Sequence, residues 1–357
     1  MTYVDMCAIA VERPVPGGAT EARRRRVAGA GALLGVLVVA AAVSLAVGAR
    51  ALSPAEVWHG LFADPDPDRR LTEVRLIVQT VRLPRTVLAV VAGTALGVGG
   101  ALIQGYTRNP IADTGLLGIN AGASFAVVSV IAVLGFTDPF QYVWFAFAGA
   151  AVAGVVVFGL AGIGRGAGNP LTLALAGQGV AVFLLAMTTA VALTDQKSLN
   201  ALRFWNAGSL TGVGFDVIWP VSAFIATGLG MALLVLPALN LLSLGEDVAR
   251  ALGVNIALSR TTGIAAVTLL AGAATAACGP IAFLGLMVAH VARYSTGPDY
   301  RWLVPYAGLL GGVVLLVCDI VGRLVVRPGE LDAGVVVALL GAPFFAVLVW
   351  RGKFRSA

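Results

Sequence analysis

The chain has little of what a soluble catalyst is built from. Only 12% of its 357 residues are charged, against about a quarter in soluble globular domains, and its mean hydropathy of +0.92 excludes a water-soluble globule. Two histidines (His59, His290) and three cysteines (Cys7, Cys278, Cys318) lack metal-ligand spacing or an obvious disulfide partner. His290 stands alone in an apolar run, so packing or a hydrogen bond is its plainer role. No HExxH, no nucleophile–base arrangement and no phosphate-cradling glycine loop is present, so no catalytic residue and no resident metal is expected. Lysine is nearly missing, with Lys197 and Lys353 the only two among 24 basic residues. The arginines are scattered over many connections, so the net charge of +6 forms no nucleic-acid face.

Long apolar runs fill the space. A bilayer-spanning helix needs roughly 20 mainly apolar residues, and ten such runs are legible, at about 27–48, 84–105, 116–135, 139–161, 171–193, 217–237, 261–279, 281–296, 303–321 and 334–350. The eighth is short and abuts the seventh at Pro280, which leaves a count of nine open. Connections are mostly too short for a separate soluble domain, so residues 27–350 read as one all-α membrane domain with short tails, 1–26 and 351–357. Pro14, Pro16, Gly17 and Gly18 predict disorder in the first tail. Arg23–Arg26 ahead of an apolar run resemble a secretory leader, but the run from Val27 to Val47 exceeds the roughly 7–15 residues of a leader's apolar segment. A retained first span, anchored by its arginines to anionic lipid, is expected. With the amino terminus inside and an even number of spans, inner segments hold 14 of the 24 basic residues, which places both termini in the cytoplasm.

Two features organise the runs. Ala89, Gly93, Gly97, Ala101 and Gly105 recur every four residues along the second, a small-residue stripe that predicts a buried helix–helix contact. The phrase "NPIADTGL" at 109–116 returns as "GPIAFLGL" at 279–286, and each copy follows a Leu-x-Arg-Thr segment, "LPRT" and "LSRT". Further on, "LALAGQG" at 173–179 faintly matches "VALLGAP" at 337–343. The repeat covers about 84–193 and 259–350, four helices each. The odd number of spans between copies makes it an inverted repeat, a hallmark of transporters.

An ion-coupled transporter needs titrating groups inside its spans. The clear acid there is Asp319, and Arg323 one turn later suits a local ion pair. A permease driven by a separate ATPase needs a cytoplasmic docking surface instead. "LNLLSLGEDVARALGVNIALSR", residues 239–260, supplies one. Gly245 breaks the helix, Glu246 and Asp247 suit a helix start, and Val248, Ala249, Leu252 and Val254 give a small apolar face for lipid or a partner's groove.

"GEDVARALGV" resembles the coupling loop of the FecCD family, the membrane subunits of type II ABC importers for iron–siderophores, haem and vitamin B12. The resemblance extends to "RLPRTVLAVVAGTALGVGGALIQG" (82–105), "RNPIADTGLLGINAGA" (108–123), "CGPIAFLGLMVAHVAR" (278–293), "DIVGR" (319–323) and "GAPFFAVLV" (341–349). Thr114 and Ala289 stand where the family usually has proline, and "ELDAG" replaces a usual "ELPIG".

The resemblance implies a type II importer permease fold and a second permease subunit, identical or paralogous. It also implies two cytoplasmic ATPases that bind the ATP and magnesium, an extracytoplasmic binding (lipo)protein, and a bacterial cytoplasmic-membrane location. Gly245, Glu246, Asp247, Ala249, Leu252 and Gly253 would form the ATPase-coupling loop. Arg82, Arg85 and Arg323 would receive acids of the binding protein. Ferric siderophore is the expected cargo, with cobalamin or haem as alternatives, and the chain itself would catalyse no chemistry.

Single-cysteine labelling in intact cells and inverted vesicles should place 106–115, 162–170 and 238–260 in the cytoplasm, and 50–83 and 194–216 outside. Residues 109 and 279 on the same side would defeat the inverted repeat.

Overall fold

The computed structural model describes residues 18–48, 50–62, 69–162, 170–327 and 329–350. In chain order the helices are α1 (Gly18–Ala46), α2 (Pro54–Phe62), α3 (Arg69–Leu76), a π-helical stretch (Ile77–Arg82), α4 (Leu83–Thr107), a 3-10 turn (Thr114–Leu117), α5 (Ile119–Leu134), α6 (Pro139–Gly162), α7 (Pro170–Ala192), α8 (Gln196–Ala207), α9 (Phe215–Leu242), α10 (Glu246–Ala251), α11 (Ile256–Cys278), α12 (Leu284–Thr296), α13 (Tyr300–Val325) and α14 (Ala333–Trp350). No strand occurs among the described residues. Among the described residues, eight helices are long and apolar enough to cross a membrane. With the shorter α5 and α12, each of the ten apolar runs corresponds to a helix, and the seventh and eighth are separate.

One expectation needs correction. Residues 18–26 are not an unstructured tail. "GATEARRRR" is rich in helix formers, and Arg25 pairs with Glu21 at 2.6 Å, so α1 begins at Gly18. Residues 1–17 and 351–357 lie outside the described residues, as does the 163–169 connection. The segments 49–83 and 194–216 also hold helices. At α2, Ser53 and Glu56 form a capping box, with Ser53 N–H donating to the Glu56 carboxylate (2.8 Å) and Glu56 N–H donating to the Ser53 hydroxyl (3.3 Å). The first of these bonds holds the Glu56 carboxyl below its usual range. Asp195 caps α8 through the N–H of Ser198 at 3.1 Å.

The bundle is wound around α4. Its small residues admit other backbones: a methyl at Gly93 would overlap the carbonyl of Gly311, and one at Gly97 that of Ala307, both on α13. Gly100, one residue off the stripe, meets Gly285 of α12 in the same way, and Gly105 lies under Tyr300 and Leu239. The two halves, α4–α7 and α11–α14, interlock. α4 packs on α12 and α13, while α11 packs on α5 and α6. The start of α4 lies beside the end of α13 through Arg85 and Asp319, and the end of α4 lies beside α10 through Arg108. α11 starts at that α10 end, where Arg260 meets Glu246, so α4 and α11 run in opposite directions. The α10 end is termed inner below and the other outer.

The repeated phrase explains why α5 and α12 are short. At about 1.5 Å per residue they span roughly 24 and 20 Å, less than the roughly 30 Å of a bilayer core. Each is preceded by a non-helical segment that folds back into the bundle. Residues 106–115 were expected to form a cytoplasmic connection, with a span starting at about 116. Instead residues 108–118 turn upward until Thr114 lies 3.2 Å from a methyl built at Gly99, eight residues inside α4. From the outer end, 279–283 descends past Trp205 and Gly208 to bring Phe283 against Gly341, midway along α14. The copies meet where Asp113 faces the backbone N–H groups of Thr114, Gly115 and Leu286. A labelling probe for the first segment therefore belongs at the exposed Ile111, since Ala112 and Thr114 are buried.

Gly97→Val should separate α4 from α13 and cost about 1–3 kcal/mol or more. Gly35→Ala, with open space around it, should be neutral. Thermal unfolding in detergent distinguishes them, and equal melting would remove the stripe from the account of packing.

Candidate functional site

At the inner end, α10 is six residues long and is framed by Gly245 (φ 118°) and Gly253 (φ 83°). Both conformations are costly for a residue with a Cβ, so these glycines set where the helix begins and where the chain turns back. Ala249 is fully buried and fixes the helix on the bundle. Asp247 is 99% exposed, and Val248 and Leu252 face outward with it. Val254, expected on that same face, is half-buried against the core. Glu246 does not join the outward surface. Its carboxylate accepts from Arg260 at 2.6 Å and lies 3.8 Å from Arg108, whose guanidinium also donates to the carbonyl of Leu242 at 3.1 Å.

The outer end carries the three arginines expected to meet a binding protein. All three are buried and hydrogen-bonded within the chain, with the Nε of Arg323 left without a partner. Arg82 donates to the carbonyls of Leu45 (2.6 Å), Ala46 (2.8 Å) and Arg50. Arg323 donates to the carbonyls of Ser44 and Val47 (3.0 Å each), to the Ser44 hydroxyl (2.6 Å) and to Asp319 (2.6 Å). Arg85 pairs with Asp319 at 2.8 Å and Glu330 at 2.6 Å. The physical reason is the end of α1, whose last carbonyls have no helical partner and lie among apolar helices where water cannot serve them. Arg82 and Arg323 cap those carbonyls, and Asp319 and Glu330 balance the buried charge. The i, i+4 pair Asp319–Arg323 is present, as one part of this larger network. Among the described residues, the basic side chains exposed at this end include Arg50, Arg70, Lys197, Arg203 and Arg327.

The chemistry of these sites is mechanical. Among the described residues no group of His, Cys, Asp or Glu could hold a metal ion. His290 stacks edge-on with Phe344 at 6.0 Å. A groove of about 500 Å³ runs beside α14 and the descending segment, lined by Pro280, Ala282, Gly334, Ala338 and Pro343 without a charged group.

Comparison with known proteins decides the family. The model of the FecCD transport family matches residues 36–351. The chain belongs to the FecCD transport family. It is 44% identical over 319 residues to the ferric enterobactin transport system permease protein FepD of Escherichia coli strain K12, covering 89% of this chain and 94% of that one. It is 36% identical over 329 residues to the hemin transport system permease protein HmuU of Yersinia pestis, covering 90% and 95%. Among solved structures it is similar to an inward-facing metal-chelate type ABC transporter, described as putative, with TM-score 0.76, 27% identity and coverage of 90% and 98%. This FecCD protein is thus a multi-pass membrane permease.

Sequence reading missed Glu330, Ser44, Arg108 and Arg260 as partners. Glu330, Ser44 and Arg108 are far along the chain from the groups they serve, while Arg260, 14 residues from Glu246, had a cue in the echoed Leu-x-Arg-Thr. Asp319→Ala should leave Arg85 and Arg323 facing each other and cost about 3–5 kcal/mol. Glu330→Gln, where the side chain is 34% exposed, should cost about 1 kcal/mol or less. Detergent melting curves measure both, and equal effects would show that the network is not organised around Asp319.

Proposed function

We propose that this chain is one of two permease subunits of an ATP-driven importer whose cargo is a ferric siderophore. The observation that carries this reading is α10, a six-residue helix held by two positive-φ glycines and seated by Ala249. It presents Asp247, Val248 and Leu252 away from the bundle at the end where a cytoplasmic ATPase would bind. A chain that harvested an ion gradient alone would have no use for such a handle. ATP and magnesium would belong to the ATPase, with both termini of this chain on the same cytoplasmic side.

A second permease subunit would cover the side formed by α7 and α14, the last helices of the two halves. They leave Leu175, Phe183, Leu339 and Leu340 exposed. The uncharged groove beside α14 suits a bulky chelate already selected by a binding protein, because it offers no fixed charge ring of the kind that selects small ions. With Arg82, Arg85 and Arg323 occupied, docking of an acidic binding protein would fall to Arg50, Lys197 and Arg203 on the outer surface. The ferric enterobactin transport for which FepD is named favours a ferric siderophore as cargo, and the hemin transport for which HmuU is named keeps haem as the second reading.

A deletion strain should lose uptake of radio-labelled ferric siderophore and keep uptake of cobalamin and haem. Intact siderophore uptake with loss of either of the others would overturn the cargo assignment. Leu252→Asp should reduce uptake roughly tenfold or more, because it places a charge without a partner in a docking face. Normal uptake would remove α10 from the coupling surface.

A further inference from the structure

Glu246 is the first residue of the coupling helix, yet it points back into the bundle. Its Oε1 accepts from the Arg260 guanidinium at 2.6 Å on α11 and lies 3.8 Å from Arg108 at the end of α4. The end of α4 and the start of α11 are joined directly as well. The Tyr106 hydroxyl donates to the Ser259 carbonyl at 2.9 Å, and its ring fills the space left by Gly263. One carboxylate therefore closes a ring of three elements, α4, α10 and α11.

Arg108 is also where α4 stops. It is one of two described non-glycine residues with positive φ (48°), and its N–H caps α4 by donating to Gln104 and Gly105. A left-handed arginine costs about 1–2 kcal/mol and persists where its surroundings hold it. Its guanidinium is held by Leu242 and Glu246. The residues that follow immediately are the re-entrant segment, whose Asp113 carboxylate packs against Gly285 at the start of α12 and whose Ala112 carbonyl shares the Gln104 amide donor with the carbonyl of Leu286 (3.5 and 3.4 Å).

We propose that the Arg108–Glu246–Arg260 cluster is the latch through which displacement of the coupling helix reaches the re-entrant segments of both repeats. Arg108 and Arg260 are positioning residues that touch neither cargo nor nucleotide. When α10 is drawn outward or tilted, Glu246 pulls on the end of α4 through Arg108, and the left-handed turn passes that movement to residues 109–113. Asp113 then hands it to α12. Helix α11 moves with α10 through Arg260, so the inner ends of the two halves shift together. The proposal rests on the reading of α10 as the ATPase contact and adds to it the internal route.

The test uses the complete complex with its ATPase and binding protein in proteoliposomes. Arg108→Gly keeps the turn conformation and removes the guanidinium, and Arg260→Met removes the second arm. Each should lower cargo moved per ATP hydrolysed by about fivefold or more, the lower range of typical coupling energies, with ATPase assembly intact. In a double-mutant cycle, adding Glu246→Gln to either variant should cost little more. Spin labels at the exposed Ile111→Cys and Val248→Cys should keep one separation through the ATP cycle in an otherwise wild-type chain, and lose that fixed separation in Arg108→Gly. Should Arg108→Gly fail to fold, Glu246→Lys combined with Arg260→Glu carries the test by restoring coupling that Glu246→Lys alone abolishes. Wild-type transport stoichiometry in both single-arginine variants, or a 111–248 separation that already varies with ATP in the wild-type background, would overturn the latch. An absence of ATP-dependent uptake by the unmodified complex would instead defeat the importer reading on which it rests.

Discussion

A peptide group released from a helix inside a bilayer has no water to pair with, and each one left unsatisfied costs several kcal/mol. The outer end of this protein is arranged around that cost. Helix α1 ends among other helices, and its last carbonyls receive Arg82 and Arg323, with Arg327 reaching Gly48 at 3.0 Å. Guanidinium groups suit this task because each offers several donors in a fixed fork. Their charge then requires acids at the same depth, which Asp319 and Glu330 supply. Five charged residues, in a chain where only 12% are charged, thus follow from the end of one helix.

The same constraint shapes the middle of the molecule. Non-helical backbone at membrane depth is tolerated only where protein surrounds it, and both copies of the repeated phrase enter the bundle as such backbone. They fit because α4, α12 and α13 come close enough at Gly93, Gly97, Gly100, Gly285 and Gly311 to leave no gap around them. Small residues therefore do two things: they replace the absent hydrophobic drive between helices with close contact, and they make a dry enclosure for two broken segments. The halves interlock, α4 with α12 and α13 and α11 with α5 and α6, and each broken segment is lined largely by its own half, Thr114 beside Gly99 and Phe283 beside Gly341.

The number and order of apolar helices were legible because a span announces itself by length and composition, and the inverted repeat because two phrases survived in the same register. The stripe on α4 was legible from its four-residue spacing. The roles of Arg82, Arg85 and Arg323 were not. An arginine near a helix end carries the same letter whether it faces a partner or caps a carbonyl, and the carbonyls in question belong to residues 44–50, more than 30 positions from Arg82 and more than 270 from Arg323. Residues 106–115 looked like a cytoplasmic connection because polar residues such as Asn109 and Asp113 suit water as well as they suit the backbone N–H groups that receive them here. Helices α2 and α8 had cap signals in Ser53–Glu56 and Asp195, which apolar-run counting passes over.

A six-residue helix has no stability of its own, since forming the first turn is unfavourable and few later bonds offset it. Helix α10 is therefore only as stiff as its mountings, and those are of two kinds. Ala249 seats it by close apolar contact, which resists displacement but has little angular preference. Glu246 ties it by charge-assisted hydrogen bonding, which is short, directional and stronger than a neutral bond. A partner gripping Asp247, Val248 and Leu252 thus pulls on a pivot at Ala249 and a tether at Glu246, and the load passes to the ends of α4 and α11. Both arginines converge on one Glu246 oxygen, so the tether delivers a displacement of α10 to α4 and α11 together. A wholly apolar mounting would hold α10 in one place, whereas this mounting also transmits its tilt.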